Sequence, residues 1–323
     1  MKVRIGLGFG LWPFTERRAN VFYDLIALCD RVGIDSIWFS DRIVGGDLLE
    51  PSVAMAAVAG GSNFMKLGTN ALIFPLRHPV VMAKELATLD FLSNGRLLLV
   101  AGLGRDDNRE FEACGVEKKS RGKRTDEMIV ALRRLWTEDN VSFEGETFKF
   151  RDVTISPKPV SKPCPPIWIG GNSDAAMQRT ARLGDGWLPS YITPREAAQG
   201  IATIKRYASE IGRQIPDDHY GVNIHFAIAP SREDALKLSE PYRTARRKDL
   251  PAEDFGAYGT SQEIVKRLRE YVAGGITKFV LRPVCPPDQW FSQLERLSHE
   301  VLKPLQTPFA EYEVMERAGK KLP

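Results

Sequence analysis

PPIWIGGNSDAAMQRTARLGDGWLP, residues 165–189, runs from an apolar strand through two glycines into a polar helix start, a helix, a glycine stop and a second strand. It is a strand–helix–strand unit. Gly170 and Gly171 carry no side chain that would block a ligand, and Asn172, Ser173 and Asp174 supply polar groups suited to capping the helix that begins there. Exposed N–H groups at such a terminus attract phosphate. Read alone, the segment fits an ordinary capped helix after a tight turn better than it fits an anion site, so the rest of the chain decides.

Working outward, the same alternation recurs. Val3–Phe9 alternates apolar and small residues as a first strand, and Phe22, Leu25, Ile26 and Cys29 follow at helical spacing until Gly33. Residues 36–40 (SIWFS) form a second strand, residues 66–74 (KLGTNALIF) a third after a small Ala-rich helix, and residues 96–101 (RLLLVA) a fourth after a helix opened by Pro79. Its near-continuous apolar run suits a sheet covered on both faces. Residues 124–136 form the next helix, and residues 141–153 form a hairpin turning at Glu144 and Gly145. Beyond the opening unit come a helix at 194–211, a seventh strand at 220–229, a charged irregular stretch at 231–259, a helix at 261–273, an eighth strand at 278–282 and a closing helix at 290–305. The expected fold is therefore α/β: a single (β/α)8 TIM-barrel domain over 1–323, with a hairpin insertion after the fourth helix and an irregular insertion after the seventh strand. An open doubly wound sheet is the alternative.

Composition narrows the function. The chain has 323 residues, 43% of them hydrophobic and 27% charged, enough apolar material for a large core. No run reaches the ~18 apolar residues of a membrane span, and the start MKVRIGLGFG lacks a signal-peptide pattern, so a cytoplasmic protein is expected. The four cysteines form no CxxC pair, which suggests neither a disulfide framework nor a zinc site. A net charge of +4 without a dense basic tract argues against nucleic acid.

In either architecture reactive groups lie at the carboxyl ends of strands, which nominates 8–12, 41–42, 70–73, 102–105, 170–173, 190–193 and Arg282. These positions hold no HExxH, GxSxG or Walker loop. Of the four histidines, His225 lies within the seventh strand and is read as a packed barrel residue rather than a base. Glycines, small polar groups and aromatics around a phosphate site fit a cofactor that carries the chemistry itself, such as a flavin-type ring.

Four ordered segments then carry a resemblance: SIWFSDR at 36–42, LGTNALIFPLRHPVVMAKELATLDFLSNGRLLLVAGLGR at 67–105, RGKRTDEMIVALRRLWTEDNVSFEGETFKF at 121–150 and PKPVSKPCPPIWIGGNSDAAMQRTARLGDGWLP at 157–189. Together they resemble the bacterial luciferase-like monooxygenase family, and more narrowly its F420-dependent oxidoreductases, relatives of methylenetetrahydromethanopterin reductase. The resemblance implies a barrel binding reduced FMN or coenzyme F420 at its carboxyl end, usually as a homodimer. It places the cofactor phosphate on Gly170, Gly171, Asn172 and Ser173. It places a strand bulge with a non-proline cis peptide at Asn70–Ala71 against the ring, and Gly102 and Gly104 beside it.

Departures from that pattern bear on chemistry. Many members read Asp-His after the second strand, where this chain has Asp41 and Arg42 as its candidate catalytic pair. Arg42 cannot shuttle protons near neutral pH, so it would fix an anion or ring carbonyl, or pair with Asp41. Arg105 stands where some sugar phosphate dehydrogenases of the family carry glutamate. Arg105, Arg282, Trp12, Trp187 and Tyr191 are the candidate substrate residues, the arginines for an anionic group and the aromatics as walls. Arg121, Arg124, Asp126 and Glu127 are expected to be structural or at a subunit contact. The expected activity is hydride transfer with F420 or oxygen insertion with reduced FMN on a small organic substrate. A flavin or F420 reductase would supply electrons, and no metal is expected. A luciferase-like flavin-binding store or sensor is the non-catalytic alternative, and a phosphate-binding isomerase would need an acid–base pair that these positions do not offer.

Overall fold

The computed structural model describes residues 2–243 and 247–310. Among them the expected alternation forms a barrel. Its first half comprises β1 (Arg4–Phe9), α1 (Ala19–Arg31), β2 (Ser36–Phe39), α2 (Pro51–Gly61), β3 (Lys66–Thr69), β4 (Leu72–Ile73), α3 (Pro79–Leu92), β5 (Leu97–Gly102), α4 (Asn108–Ala113) and α5 (Arg121–Thr137). The hairpin β6 (Val141–Glu144) and β7 (Lys149–Val153) follows. The second half comprises β8 (Ile167–Gly170), α6 (Asp174–Leu183), β9 (Gly186–Leu188), α7 (Pro194–Glu210), β10 (Gly221–Ile228), α8 (Arg232–Ser239), α9 (Ala252–Phe255), β11 (Ala257–Gly259), α10 (Ser261–Ala273) and β12 (Lys278–Pro283). A closing helix begins as α11 (Trp290–Arg296) and continues through a π turn into α12 (Lys303–Leu305).

Ten strands share one sheet, every ladder parallel. With β4 continuing β3 and β11 flanking the tip of β10, eight staves remain, and the parallel bridges Trp187–Tyr220 and Ser190–Asn223 close the circle between β9 and β10. The expected third strand is broken at Asn70–Ala71, whose peptide bond is cis. Two further differences from the sequence reading are local. The short α4 was not expected, and the stretch after β10, expected to be irregular, contains α8, α9 and β11. Helix starts follow their side chains: Thr193 with Glu196, and Thr260 with Glu263, form reciprocal capping boxes on α7 and α10.

The register sets large residues beside small ones inside the barrel. Trp38 lies opposite Gly8 and Gly68, and Trp168 opposite Gly186, so glycine makes room for each indole. A Cβ on Gly68 would overlap the Trp38 ring, and one on Gly186 would come within 2.6 Å of Trp168. With Val100, Leu188 and Val280 these indoles fill the middle of the barrel. Below them Asp35 accepts from Ser36 Oγ and pairs with Lys278 and Arg4, closing the amino end. What is left open is the carboxyl end.

Candidate active site at the carboxyl end of the barrel

Strand alternation carries the interior face one step above the indole tier, to Gly10, Ser40, Asn70, Gly102, Gly170, Ser190, His225 and Arg282. Small residues form one side of this mouth. A Cβ added to Gly102 would lie 2.9 Å from that of Ala71, and one on Gly10 would strike the Arg282 guanidinium. Polar residues form the other side. Asn223 Nδ2 donates to Ser190 Oγ at 3.2 Å, and Arg282 Nη2 donates to Ser40 Oγ at 2.7 Å. Four buried polar atoms of this region have no hydrogen-bond partner: Asn70 Nδ2, Asn223 Oδ1, His225 Nε2 and Arg282 Nε. Unsatisfied buried groups clustered in one place call for an explanation, and a ligand supplies one.

Burial holds the His225 imidazole down to about 3, helped by the positive charges of Arg282 and Arg243. It is therefore neutral at physiological pH. The Arg282 guanidinium is also lowered, first by burial and then by the charge of Arg105, while Tyr191 opposes the shift. Tyr191 packs edge-on to His225 with ring centroids 5.4 Å apart, and its backbone sits at φ +60°, a conformation uncommon outside glycine. Arg105 is exposed at the rim, and its carbonyl accepts from Arg121 Nη1.

The glycine turn and capped helix start expected at residues 170–174 are present. Gly171 has φ +92°, residues 171–174 are exposed, and Ser173 Oγ accepts from Ala176 N at 3.2 Å to cap α6. Beside it opens a cavity of about 190 Å³ lined by Asn172, Met177, Trp187, Ile192, Glu196 and Gln199 among others. Gly104 also turns with positive φ, against Ile73 and Phe111.

Other expectations are corrected. Trp187 is 1% exposed and points out of the barrel against α7, so it does not wall the barrel mouth; its Nε1 instead donates to the Gly171 carbonyl at 2.7 Å. Trp12 packs edge-on against Phe9 and Phe14 while its Nε1 donates to the Glu16 carbonyl, which makes it rim packing. Asp41 and Arg42 do not form a catalytic pair. The Asp41 carboxylate is 1% exposed and accepts from Ile73 N at 2.7 Å and Arg77 Nη1 at 2.6 Å. Arg42 instead binds Asp107 at 3.1 Å and the Val44 carbonyl. Both hold loops at the mouth, as does the buried Glu110, which accepts from Ile43 N and Val44 N. Asp126 pairs with Arg179 and Arg182, and Glu127 accepts from three N–H groups of the hairpin, so that charged helix start is structural. Among the described residues, no cluster of His, Cys, Asp or Glu is suited to a metal ion, and no helix is long and apolar enough to cross a membrane.

Residues 7–278 match the family described as luciferase-like monooxygenase. The chain belongs to that family. Among luciferase-like relatives, it is 35% identical over 165 residues to the FMNH(2)-dependent dimethylsulfone monooxygenase of Pseudomonas putida, covering 49% of this chain and 43% of that protein. It is 34% identical over 168 residues to the F420-dependent glucose-6-phosphate dehydrogenase of Amycolatopsis mediterranei, covering 49% and 50%. The chain thus spans about half the length of the curated relatives it matches. The FMN-bound oxygenating constituent of 3,6-diketocamphane monooxygenase from Pseudomonas putida superposes with a TM-score of 0.80 at 18% identity, over 96% of this chain and 100% of that one, which shows a shared fold. Relatives named for FMNH2 and for F420 match at nearly equal identity, so similarity does not favour the F420 branch over the other.

Proposed function

We propose that this luciferase-like chain is an oxidoreductase that uses reduced FMN or coenzyme F420 to act on a small organic substrate at the carboxyl end of its barrel. The observation that carries this reading is the glycine-walled mouth with unpartnered Asn70 Nδ2 and Asn223 Oδ1. The cofactor fits these groups: a flat ring needs a wall without side chains, which Ala71, Gly102 and Gly170 offer. Its pyrimidine edge, alternating acceptor and donor, suits an amide donor from Asn70 and an amide acceptor from Asn223. Gly170, Gly171, Asn172 and Ser173 would hold the phosphate at the start of α6, where N–H groups and the helix dipole favour an anion. When bound, either cofactor supplies hydride, and reduced FMN also supplies oxygen activation. The protein's part is to orient ring and substrate and to exclude water. Asp41, Arg42 and Trp187 support this by holding the surrounding loops.

One hydrophobic cluster running from Val3 to Leu302 favours a single domain. A homodimer is favoured by α2, which is apolar nearly all round yet exposes Val53 at 70%, and by the neighbouring α3, which exposes Val81, Phe91 and Leu92. We also read the protein as cytoplasmic and supplied with electrons by a separate reductase. Fluorescence titration with F420, reduced F420, FMN and reduced FMN tests the cofactor assignment. Binding of at least one is expected, and binding of none would overturn it.

A further inference from the structure

We propose that Arg282 and His225 form a receptor for the oxoanion of the substrate, a carboxylate or sulfonate, so that this chain acts on small organic anions. The step to catalysis rests on the cofactor reading above; the binding site does not. His225 and Arg282 are register partners on the adjacent parallel strands β10 and β12, so their side chains leave the sheet on the same face.

Elsewhere Arg4 faces Asp35, Arg77 faces Asp41 and Arg179 faces Asp126, while the buried Arg96 donates to the carbonyls of Ser93, Ser62, Met65 and Ala59. Among the described residues, no ion pair includes Arg282. Its Nη2 is spent on the neutral Ser40 hydroxyl, and its Nε is buried without a partner. Arg282 is half-buried with its Nε fully covered, so holding its charge there without a counter-ion carries a cost that an incoming anion lowers.

His225, in its Nε2–H tautomer, supplies the second donor. Its Nε2 is buried and unpartnered, and burial, aided by the positive charges of Arg282 on β12 and Arg243 after α8, keeps the ring neutral. The Tyr191 ring packs against it from the β9 side, and Asn223 precedes it by one interior step on β10. Tyr191 is itself held, because Arg247 donates to its carbonyl at 3.2 Å while binding Glu196 and Asp249. One guanidinium N–H and one imidazole N–H suit the two oxygens of an oxoanion, and Arg105 at the rim adds attractive charge. Arg282 lies beyond residues 7–278, the part matched to the family.

The reduced cofactor ring also carries an anionic edge, so the test separates the two sources. Methanesulfonate and benzoate are titrated against their uncharged shape-mates dimethyl sulfone and benzamide, with and without saturating FMN or F420, and cofactor affinity is measured separately. At least one anion is expected to bind about tenfold more tightly than its neutral partner. Arg282→Gln should abolish that preference while leaving FMN and F420 affinity unchanged. Arg282→Lys, which keeps the charge but not the fork, should retain it at lower affinity. With four histidines in the chain, the His225 imidazole signal is identified by its loss in His225→Asn. Bound anion should move its titration upward in the wild type and not in Arg282→Gln. Equal binding of charged and neutral probes, no anion binding, or loss of cofactor rather than anion affinity in Arg282→Gln would overturn the proposal. Anion binding without binding of any cofactor would sustain it and sink the cofactor reading.

Discussion

Replacing Asp41 with alanine removes a carboxylate that is 1% exposed and accepts from Arg77 at 2.6 Å and from Ile73 N at 2.7 Å. Breaking a buried pair costs about 3–5 kcal/mol, because the remaining charge loses its partner. Arg77 keeps Glu50 at 3.1 Å, but that carboxylate is 46% exposed and replaces little of the lost interaction. The expected loss is therefore about 3 kcal/mol, at the lower end of that range. Asp41→Asn keeps an acceptor for Ile73 N and gives up only the charge, so roughly 1.5 kcal/mol is expected. Urea unfolding monitored by tryptophan fluorescence would give both values, and turnover would be measured where each variant is fully folded. Under those conditions Asp41→Asn should retain turnover within a few-fold, since its carboxylate holds a loop and takes no part in proton transfer. An Asp41→Asn protein with wild-type stability and cofactor affinity, but with turnover reduced about a hundredfold or more, would refute this and return Asp41 to the chemistry.

Trp187→Phe removes the 2.7 Å donor to the exposed Gly171 carbonyl, and should cost about 0.5–1.5 kcal/mol in urea unfolding and weaken cofactor binding without touching the cofactor. Gly171→Leu meets an open approach, since the nearest atom to an added Cβ is Ala176 Cβ at 3.5 Å, so the obstacle is φ +92°. It should cost about 1–2 kcal/mol and weaken FMN or F420 binding in a fluorescence titration, whereas unchanged affinity would place the phosphate elsewhere. His225 gives a pH prediction. Its pKa falls from 6.5 to about 3 in the folded protein, so between those values the unfolded chain holds a proton that the barrel refuses. Stability should drop as pH falls through that window, by at most ~1.4 kcal/mol per pH unit from this group. His225→Asn should flatten the slope of unfolding free energy between about pH 6 and pH 5, where carboxylates contribute little; an unchanged slope would contradict the assignment.

What the chain by itself determined is whatever depends on near neighbours. Alternation in residues 3–9 and 220–229, helical spacing in residues 261–273, and the Thr260–Glu263 capping box are interactions within a few residues, so they were legible directly. The Gly170–Ser173 turn was legible for the same reason. Asn223 and His225 share a strand face, and their period-two spacing was visible, although nothing local showed that their outer atoms would lack partners. What only the tertiary structure decided are pairings between segments tens of residues apart. The distance from Asp41 to Arg77, from Arg42 to Asp107, and from Trp187 to Gly171 is set by loop paths and barrel closure. Adjacent numbers therefore suggested an Asp41–Arg42 pair, while the fold sent each to a different partner. The meeting of His225 with Arg282 is likewise a matter of register between β10 and β12, because side chains on parallel strands become neighbours only once the strands are aligned.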